Sequence, residues 1–335
     1  MSSSEEDSEY EPSLRSLNTS DDTASSSDNE YFSTSEEEEE EEEGGEERAW
    51  RSLELSEERM NAASSRFSFT GNPGITIDEN PAEMSPFEFC LFIDKRIVDC
   101  VLVETNRFAE QTGQDDSLWR PVTEAELFVF FAMKMLGGIV KMPEEEMNWS
   151  QDELLERPIF QKLMTMIWYS KIKQYLHFVN NETHDAQTLP NPKLYKIYDL
   201  FMTLCEKLGK CYIPRQDVCL DESLMLFKGR LGWVQFMPLK RRRFGVKYFM
   251  LCESKAGYVY SMSIYVGKGT QFDPEYDEYP VSSRVVLSLM KPLFGKGYCV
   301  TVYNYYTSPQ LADALVMNQT DTYETLRLNR KEVPE

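Results

Sequence analysis

Two adjacent acids, Asp221 and Glu222, interrupt an otherwise apolar segment at residues 218–227. The apolar residues predict a β-strand, and unpaired carboxylates are costly to bury in a strand. Two explanations remain open: the strand has a wet face, or the acids bind a cation. Carboxylates at strand ends that hold Mg²⁺ are the arrangement that two-metal phosphoryl-transfer sites use.

A basic cluster surrounds these acids in the sequence. Residues 212–268 carry 10 Lys and Arg against four acids. The candidate phosphate-binding residues, which are interleaved with aromatic residues, are Lys228, Arg230, Lys240, Arg241, Arg242, Arg243 and Lys247. Such a surface suits the phosphate backbone of DNA. Lys and Arg on an exposed strand edge also block strand pairing, and composition alone leaves both interpretations open. Residues 240–243 also resemble a nuclear localisation signal.

The net charge of −22 is concentrated at the N-terminus. The first 50 residues carry 19 acids and two arginines, a net charge of −17, and residues 36–43 are consecutive glutamates. Such a segment repels itself and has too little apolar surface to offset the entropy of ordering. Residues 1–66 are therefore predicted to be a disordered acidic tail. The other 285 residues hold 33 bases and 38 acids, so the overall acidity does not exclude a nucleic-acid partner.

The scarcity of histidine excludes several catalytic classes. With His177 and His184 alone, a histidine-rich zinc site is excluded, and a histidine-dependent triad would need one of the two. We expect His177 to be a packed residue. Neither a P-loop nor a dinucleotide-binding glycine motif occurs.

The sequence contains seven cysteines without a CxxC pair, and its start is unlike a signal peptide. Both features favour a reducing intracellular compartment. No apolar run is long enough to span a membrane, so no membrane partner is expected.

Hydrophobic periodicity divides the rest of the chain into a helical part and a mixed part. Helical spacing recurs at residues 85–108, 123–140, 159–178 and 190–208, with a capping box at residues 123–126. Beyond residue 208, short β-prone segments lie at 218–227, 248–253, 258–266, 298–303 and 323–328, with helices at 281–291 and 308–318. We therefore predict an all-helical region over 67–208, followed by a mixed α/β layer over 209–335.

Several blocks of the sequence resemble piggyBac transposases in the same order. The upstream blocks lie at residues 104–111, 176–178 and 194–197. The central blocks are VCLDESLMLFKGR at 218–230, followed by residues 236–248, 251–254, 257–258 and 265–268. The later blocks are NYYTS at 304–308 and LRLNRK at 326–331. The resemblance spans residues 67–335. It is closest to the piggyBac transposable element-derived proteins of animal genomes.

The resemblance implies an RNase H-like catalytic domain over 209–335, preceded by a helical DNA-binding and dimerisation region. Active members cut and join DNA at TTAA sites with three Asp residues and Mg²⁺. Asp221 matches the first Asp, whereas Tyr303 stands where the second is expected, and the third is expected beyond residue 335. The RNase H-like domain is therefore expected to be truncated, leaving apolar sheet exposed.

These departures predict a catalytically inactive protein with no functional cofactor. A tyrosine phenol is neutral near pH 7 and cannot replace an anionic Mg²⁺ ligand. We expect a nuclear protein that forms a homodimer and retains non-specific phosphate contacts with DNA. Two alternatives stay open: an interaction scaffold whose acidic tail binds basic proteins, and a decayed transposase without a selected role.

Overall fold

The computed structural model describes residues 66–76, 83, 92–113, 116–227, 229–237, 243–327 and 333. The predicted acidic tail lies outside these residues apart from Arg66. The helix start that residues 85–86 predict also lies outside them.

The part before residue 212 is built from helices around one apolar core. The described helices are α1 (Lys95–Thr112), α2 (Glu124–Ile139), α3 (Pro158–Leu163), α4 (Met166–Tyr175) and α5 (Tyr198–Cys211), with a short 3-10 helix at Glu145–Trp149. The predicted capping box is confirmed, because Thr123 and Glu126 each accept the other's backbone N–H. Val101, Leu127 and Ile172 are fully buried in the core of this part.

The helix predicted over residues 159–178 is two helices. α3 ends at Leu163, and Thr165 caps α4 by accepting the Trp168 N–H. His177 follows α4 as a packed residue: its ring stacks on Phe108 at 4.1 Å, and its Nε2 lies 3.0 Å from Asn181 Oδ1.

A small antiparallel ladder joins the start of the described chain to the end of α5. β1 (Gly74–Ile75) pairs with β2 (Tyr212–Ile213). Thr76 also donates its N–H to the Cys211 carbonyl. Residues 66–76 are thereby tied to the mixed part of the chain.

A mixed sheet forms the second part of the molecule. Its strands are β3 (Asp217–Leu226), β4 (Gln235–Phe236), β5 (Phe244–Glu253), β6 (Val259–Tyr265), β7 (Cys299–Val302) and β8 (Asp321–Glu324). Their order is β4-β5-β3-β7-β8, and β6 also pairs with β5. β3 is antiparallel to β5 and parallel to β7, and β7 is parallel to β8. This arrangement confirms the mixed α/β class and agrees with the predicted RNase H-like sheet.

Helices cover one face of this sheet. α6 (Val281–Met290) and α7 (Pro309–Met317) pack against Val218, Leu220 and their neighbours in a continuous apolar core. α7 begins as predicted, because the Ser308 side chain accepts the Leu311 N–H and Pro309 occupies the first turn.

The opposite face is covered only in part. α5 packs over β6, where the Tyr258 hydroxyl donates to the Leu208 carbonyl at 2.8 Å. Over β3, β7 and β8 the exposed side chains on this face include Asp221, Ser223, Met225, Thr301 and Tyr323. This open part of the sheet therefore presents polar, aromatic and aliphatic groups together.

No helix among the described residues has the length and apolar character needed to cross a membrane.

Candidate functional site

The alternation of side chains along β3 separates the two acids that the sequence places together. Val218 and Leu220 are buried against α6 and α7, so Glu222 lies on this helix-covered face. Asp221 lies on the open face and is exposed. The wet-face explanation therefore applies to Asp221, whose Oδ1 accepts the Glu222 N–H at 2.8 Å.

Tyr303 directly follows β7, the strand that runs parallel to β3. The last register pair of β3 and β7 joins Leu220 to Val302. Asp221 follows Leu220 on β3, and Tyr303 follows Val302 at the end of β7, so both residues directly follow this pair. The Tyr303 side chain is 64% exposed. The topology thus brings together the two positions that the sequence identifies as matching the first and second Asp.

Glu222 is engaged in a half-buried polar cluster on the helix-covered face. Its Oε1 accepts a hydrogen bond from the Tyr306 hydroxyl at 2.6 Å, and Lys247 Nζ lies 3.7 Å from the same oxygen. Burial and the nearby Glu222 carboxylate raise the pKa of Tyr306, so its phenol stays protonated and donates. Glu222 therefore has its partners already and faces away from Asp221.

The side chains near Asp221 do not fit a pair of Mg²⁺ ions. Among the described residues, no group of three or more His, Cys, Asp or Glu side chains could hold a metal ion. Asp217 shares the open face but lies four residues away, about 13 Å along the strand. It also pairs with Arg66 at 2.8 Å. Asp221 alone cannot supply the several oxygen ligands that bridging Mg²⁺ ions need.

The predicted phosphate-binding residues lie in different environments. Arg230 and Arg243 are exposed. Lys247 has a side chain only 16% exposed and lies over the rings of Phe249, Tyr265 and Tyr305, beside Glu222. Its ammonium therefore has a carboxylate close by. The remaining candidates, Lys228, Lys240, Arg241 and Arg242, lie outside the described residues.

Sequence reasoning missed the contact between Glu222, Tyr306 and Lys247. The alternation along β3 signals that Glu222 shares a face with Leu220, but Tyr306 lies 84 positions away in the chain. The Asn304–Ser308 block contains Tyr306 without indicating its partner. Only the packing of α7 and the turn after β7 brings the phenol to the carboxylate.

The sequence of residues 87–335 identifies a transposase-like protein. The family described as Transposase IS4 matches residues 87–335, and the chain belongs to this family. The piggyBac resemblance is confirmed by relatives. The human PiggyBac transposable element-derived protein 3 is 26% identical over 271 residues, which cover 79% of this chain and 42% of that protein. The human PiggyBac transposable element-derived protein 2 is 24% identical over 259 residues, covering 76% and 42%.

The fold is also similar to a solved transposase structure. The cryo-EM structure of the piggyBac transposase synaptic complex with hairpin DNA superposes with a TM-score of 0.64 at 21% identity. The match covers 79% of this chain and 55% of that chain. This chain therefore spans less than half the length of the two human relatives and just over half of the solved transposase.

Proposed function

We propose that this chain is a transposase-derived DNA-binding protein that does not cut or join DNA. The observation that carries the proposal is that Tyr303 follows Val302 at the end of β7, where Val302 pairs with Leu220, the neighbour of Asp221 on β3. The piggyBac resemblance expects a second Mg²⁺-binding Asp at this position. A neutral phenol there leaves the metal ions of the ancestral TTAA-specific reaction without a bridging carboxylate.

A plasmid excision assay with Mg²⁺ tests the loss of catalysis, with an active piggyBac transposase as the positive control. We expect no metal-dependent excision by this chain. The variant Tyr303→Asp places a second carboxylate beside Asp221, and we expect it to bind Mn²⁺ more tightly than the unchanged protein in calorimetry. Tyr323→Asp is the matched control, because Tyr323 is another exposed tyrosine on the open face. Metal-dependent excision by the unchanged chain would overturn the proposal.

The basic residues around β4 and β5 support DNA contact. Arg230 and Arg243 are exposed, and the basic run continues through Lys240 to Arg242 in the sequence. The structural relative was solved with hairpin DNA. Lys and Arg that neutralise phosphates release counterions, which favours binding of any DNA sequence at low salt. We place Lys247 outside this contact surface, since it is half-buried beside Glu222.

A gel shift over a range of salt concentrations tests DNA binding. We expect binding at about 50 mM salt, with an affinity that falls steeply as salt rises. Replacing Arg241, Arg242 and Arg243 with Ala should make the salt dependence less steep. The slope of log K for DNA binding against log salt concentration should fall in magnitude by about one for each phosphate that is no longer neutralised. Lys210→Ala, which removes an exposed base paired with Glu206 on α5, is the control and should leave the slope unchanged. Absence of binding at low salt would contradict the proposal.

A second candidate function is an interaction scaffold in the nucleus. The charge of −17 in the first 50 residues favours it, because a dense acidic segment attracts basic proteins. In this function the transposase-like part is a folded scaffold, either a monomer or a homodimer, to which the acidic tail is attached. Binding of histones by the full chain, but not by a chain lacking residues 1–66, would favour this function.

A further inference from the structure

Two cysteines face each other across the β3–β5 ladder, on the face of the sheet that carries Asp221. Cys219 pairs with Cys252 in the antiparallel register, and both thiols are free and half-buried. The alternation along β3 gives the face, because Val218 and Leu220 on either side of Cys219 are buried against the helices. The two sulfurs therefore project from neighbouring strands in the same direction.

The backbone hydrogen bonds define the spacing of this pair. Ser254 donates its N–H to the Asp217 carbonyl at 3.0 Å, which makes residues 217 and 254 a hydrogen-bonded pair. Hydrogen-bonded and non-hydrogen-bonded pairs alternate along an antiparallel ladder. Cys219 and Cys252, two positions further along, therefore form a hydrogen-bonded pair. Their Cα atoms lie about 5.5 Å apart, within the range of about 4.4–6.8 Å that a disulfide spans.

We propose that Cys219 and Cys252 form a dithiol modification site that closes to a disulfide with a peroxide oxidant. One thiolate attacks the peroxide, its O–O bond breaks, and a sulfenic acid and one water result. The second thiol displaces the sulfenic oxygen as a second water, and the S–S bond forms. Across both steps, two thiols lose two protons and two electrons, and one hydrogen peroxide becomes two waters.

Peptide mapping of the oxidised full chain tests the proposal. The reduced protein is treated with hydrogen peroxide, the remaining thiols are blocked, and the digest is analysed by mass spectrometry without reduction. We expect a peptide pair linked through Cys219 and Cys252 that is lost on treatment with dithiothreitol. Linkage through other cysteines, or separate over-oxidation of the two thiols without a link, would overturn the proposal.

A trivalent arsenical gives an independent readout on the reduced protein. Phenylarsine oxide bridges two thiols only where they are close together, and it resists removal by a monothiol. We expect one retained adduct per chain, and its loss in both Cys219→Ser and Cys252→Ser. Cys205→Ser is the matched control, since Cys205 is a half-buried thiol on α5 that donates to the Met262 carbonyl. An adduct that survives either of the first two substitutions would contradict the pairing.

Discussion

At the scale of single residues, the main feature of the site is that Asp221 and Glu222 have different environments. Asp221 is exposed on the open face, whereas the Glu222 side chain is 14% exposed and accepts the Tyr306 hydroxyl. The cost of burying a carboxylate is offset for Glu222 by this hydrogen bond and by the nearby Lys247. Asp221 needs no such compensation because water solvates it. One acid therefore supports the fold, and the other remains available at the surface.

The Tyr306→Phe substitution tests the structural role of Glu222. Removing the hydroxyl leaves a half-buried carboxylate without its shortest hydrogen bond, which should lower the free energy of unfolding by about 1.5–3 kcal/mol. Urea denaturation followed by circular dichroism measures the change.

Tyr303→Phe is the control for this substitution. It removes the same hydroxyl from a side chain that is 64% exposed, so the effect should stay within about 0.5 kcal/mol. Equal losses for the two variants would show that the Tyr306 hydroxyl does not stabilise Glu222.

At the scale of elements, the sequence predicts what local patterns encode. The apolar residues around Asp221 predict β3, and the Ser308–Pro309 pair predicts the start of α7. β4, only two residues long, has too little alternation to be recognised, and β5 begins at Phe244, four positions before its predicted start. Phe244 and Val246 alternate with Gly245 and Lys247, which is a period-two strand pattern, so the sequence offered a signal for this part of β5 that the prediction did not use. In the structure, residues 245–247 pair with the end of β3, and this pairing makes them part of β5.

The residues of the candidate site also differ in how far local sequence patterns predict their positions. The resemblance matches Asp221 and Tyr303 to two positions of one site, but only the structure shows that β3 and β7 are neighbouring parallel strands. The contacts of Glu222 depend on residues from β5 and from the turn after β7. Such contacts depend on tertiary packing, and no local pattern encodes them.

Glu145 connects two helices of the helical part. It accepts hydrogen bonds from Lys134 on α2 and from Tyr169 and Lys173 on α4. Burial by itself would raise the pKa of Glu145, but these hydrogen bonds outweigh it and lower the pKa to about 2. A carboxylate with a lowered folded-state pKa stabilises the fold above its unfolded pKa and loses this contribution as the pH falls.

Glu145→Gln should therefore destabilise the protein by about 1–2 kcal/mol near pH 7, after allowance for solvent screening. The difference from the unchanged protein should shrink as the pH falls from about 4.5 towards 2, because Glu145 is then protonated. Urea unfolding at several pH values measures this dependence. Glu144→Gln is the control, because Glu144 is exposed on the same segment. A difference that persists undiminished at pH 2–3 would contradict the ionic role of Glu145.

At the scale of the whole molecule, the charge is distributed unevenly along the chain. The first 50 residues carry −17 of the total of −22, whereas residues 212–268 carry an excess of six positive charges. The two charged regions can attract each other over distances of about one Debye length, roughly 10 Å at 0.1 M salt. On the proposed function, the acidic tail competes with DNA for the basic residues.

Deleting residues 1–66 should therefore raise the affinity for DNA at about 50 mM salt, and the gain should decrease as salt rises. Replacing residues 36–43 with Gln keeps the length of the tail and removes eight charges. This variant should show a large part of the same gain if charge is the cause. Fluorescence anisotropy with a labelled duplex measures all three proteins. Weaker binding after deletion would show that the tail contributes to DNA contact instead.

The alternation along β3 has a consequence for comparing related sequences. Because Asp221 and Glu222 face opposite sides of the sheet, an insertion or deletion of one residue in this strand would exchange their environments. Relatives that keep the acidic pair can therefore be aligned through β3 only without gaps. A carboxylate could be lost from this open face in two ways: by substitution, as the resemblance implies for Tyr303, or by a one-residue shift along the strand that turns an intact acid towards the core. An alignment that scores residue identity alone would detect the substitution. It would overlook the shift, because the acid is still present but faces the other side of the sheet.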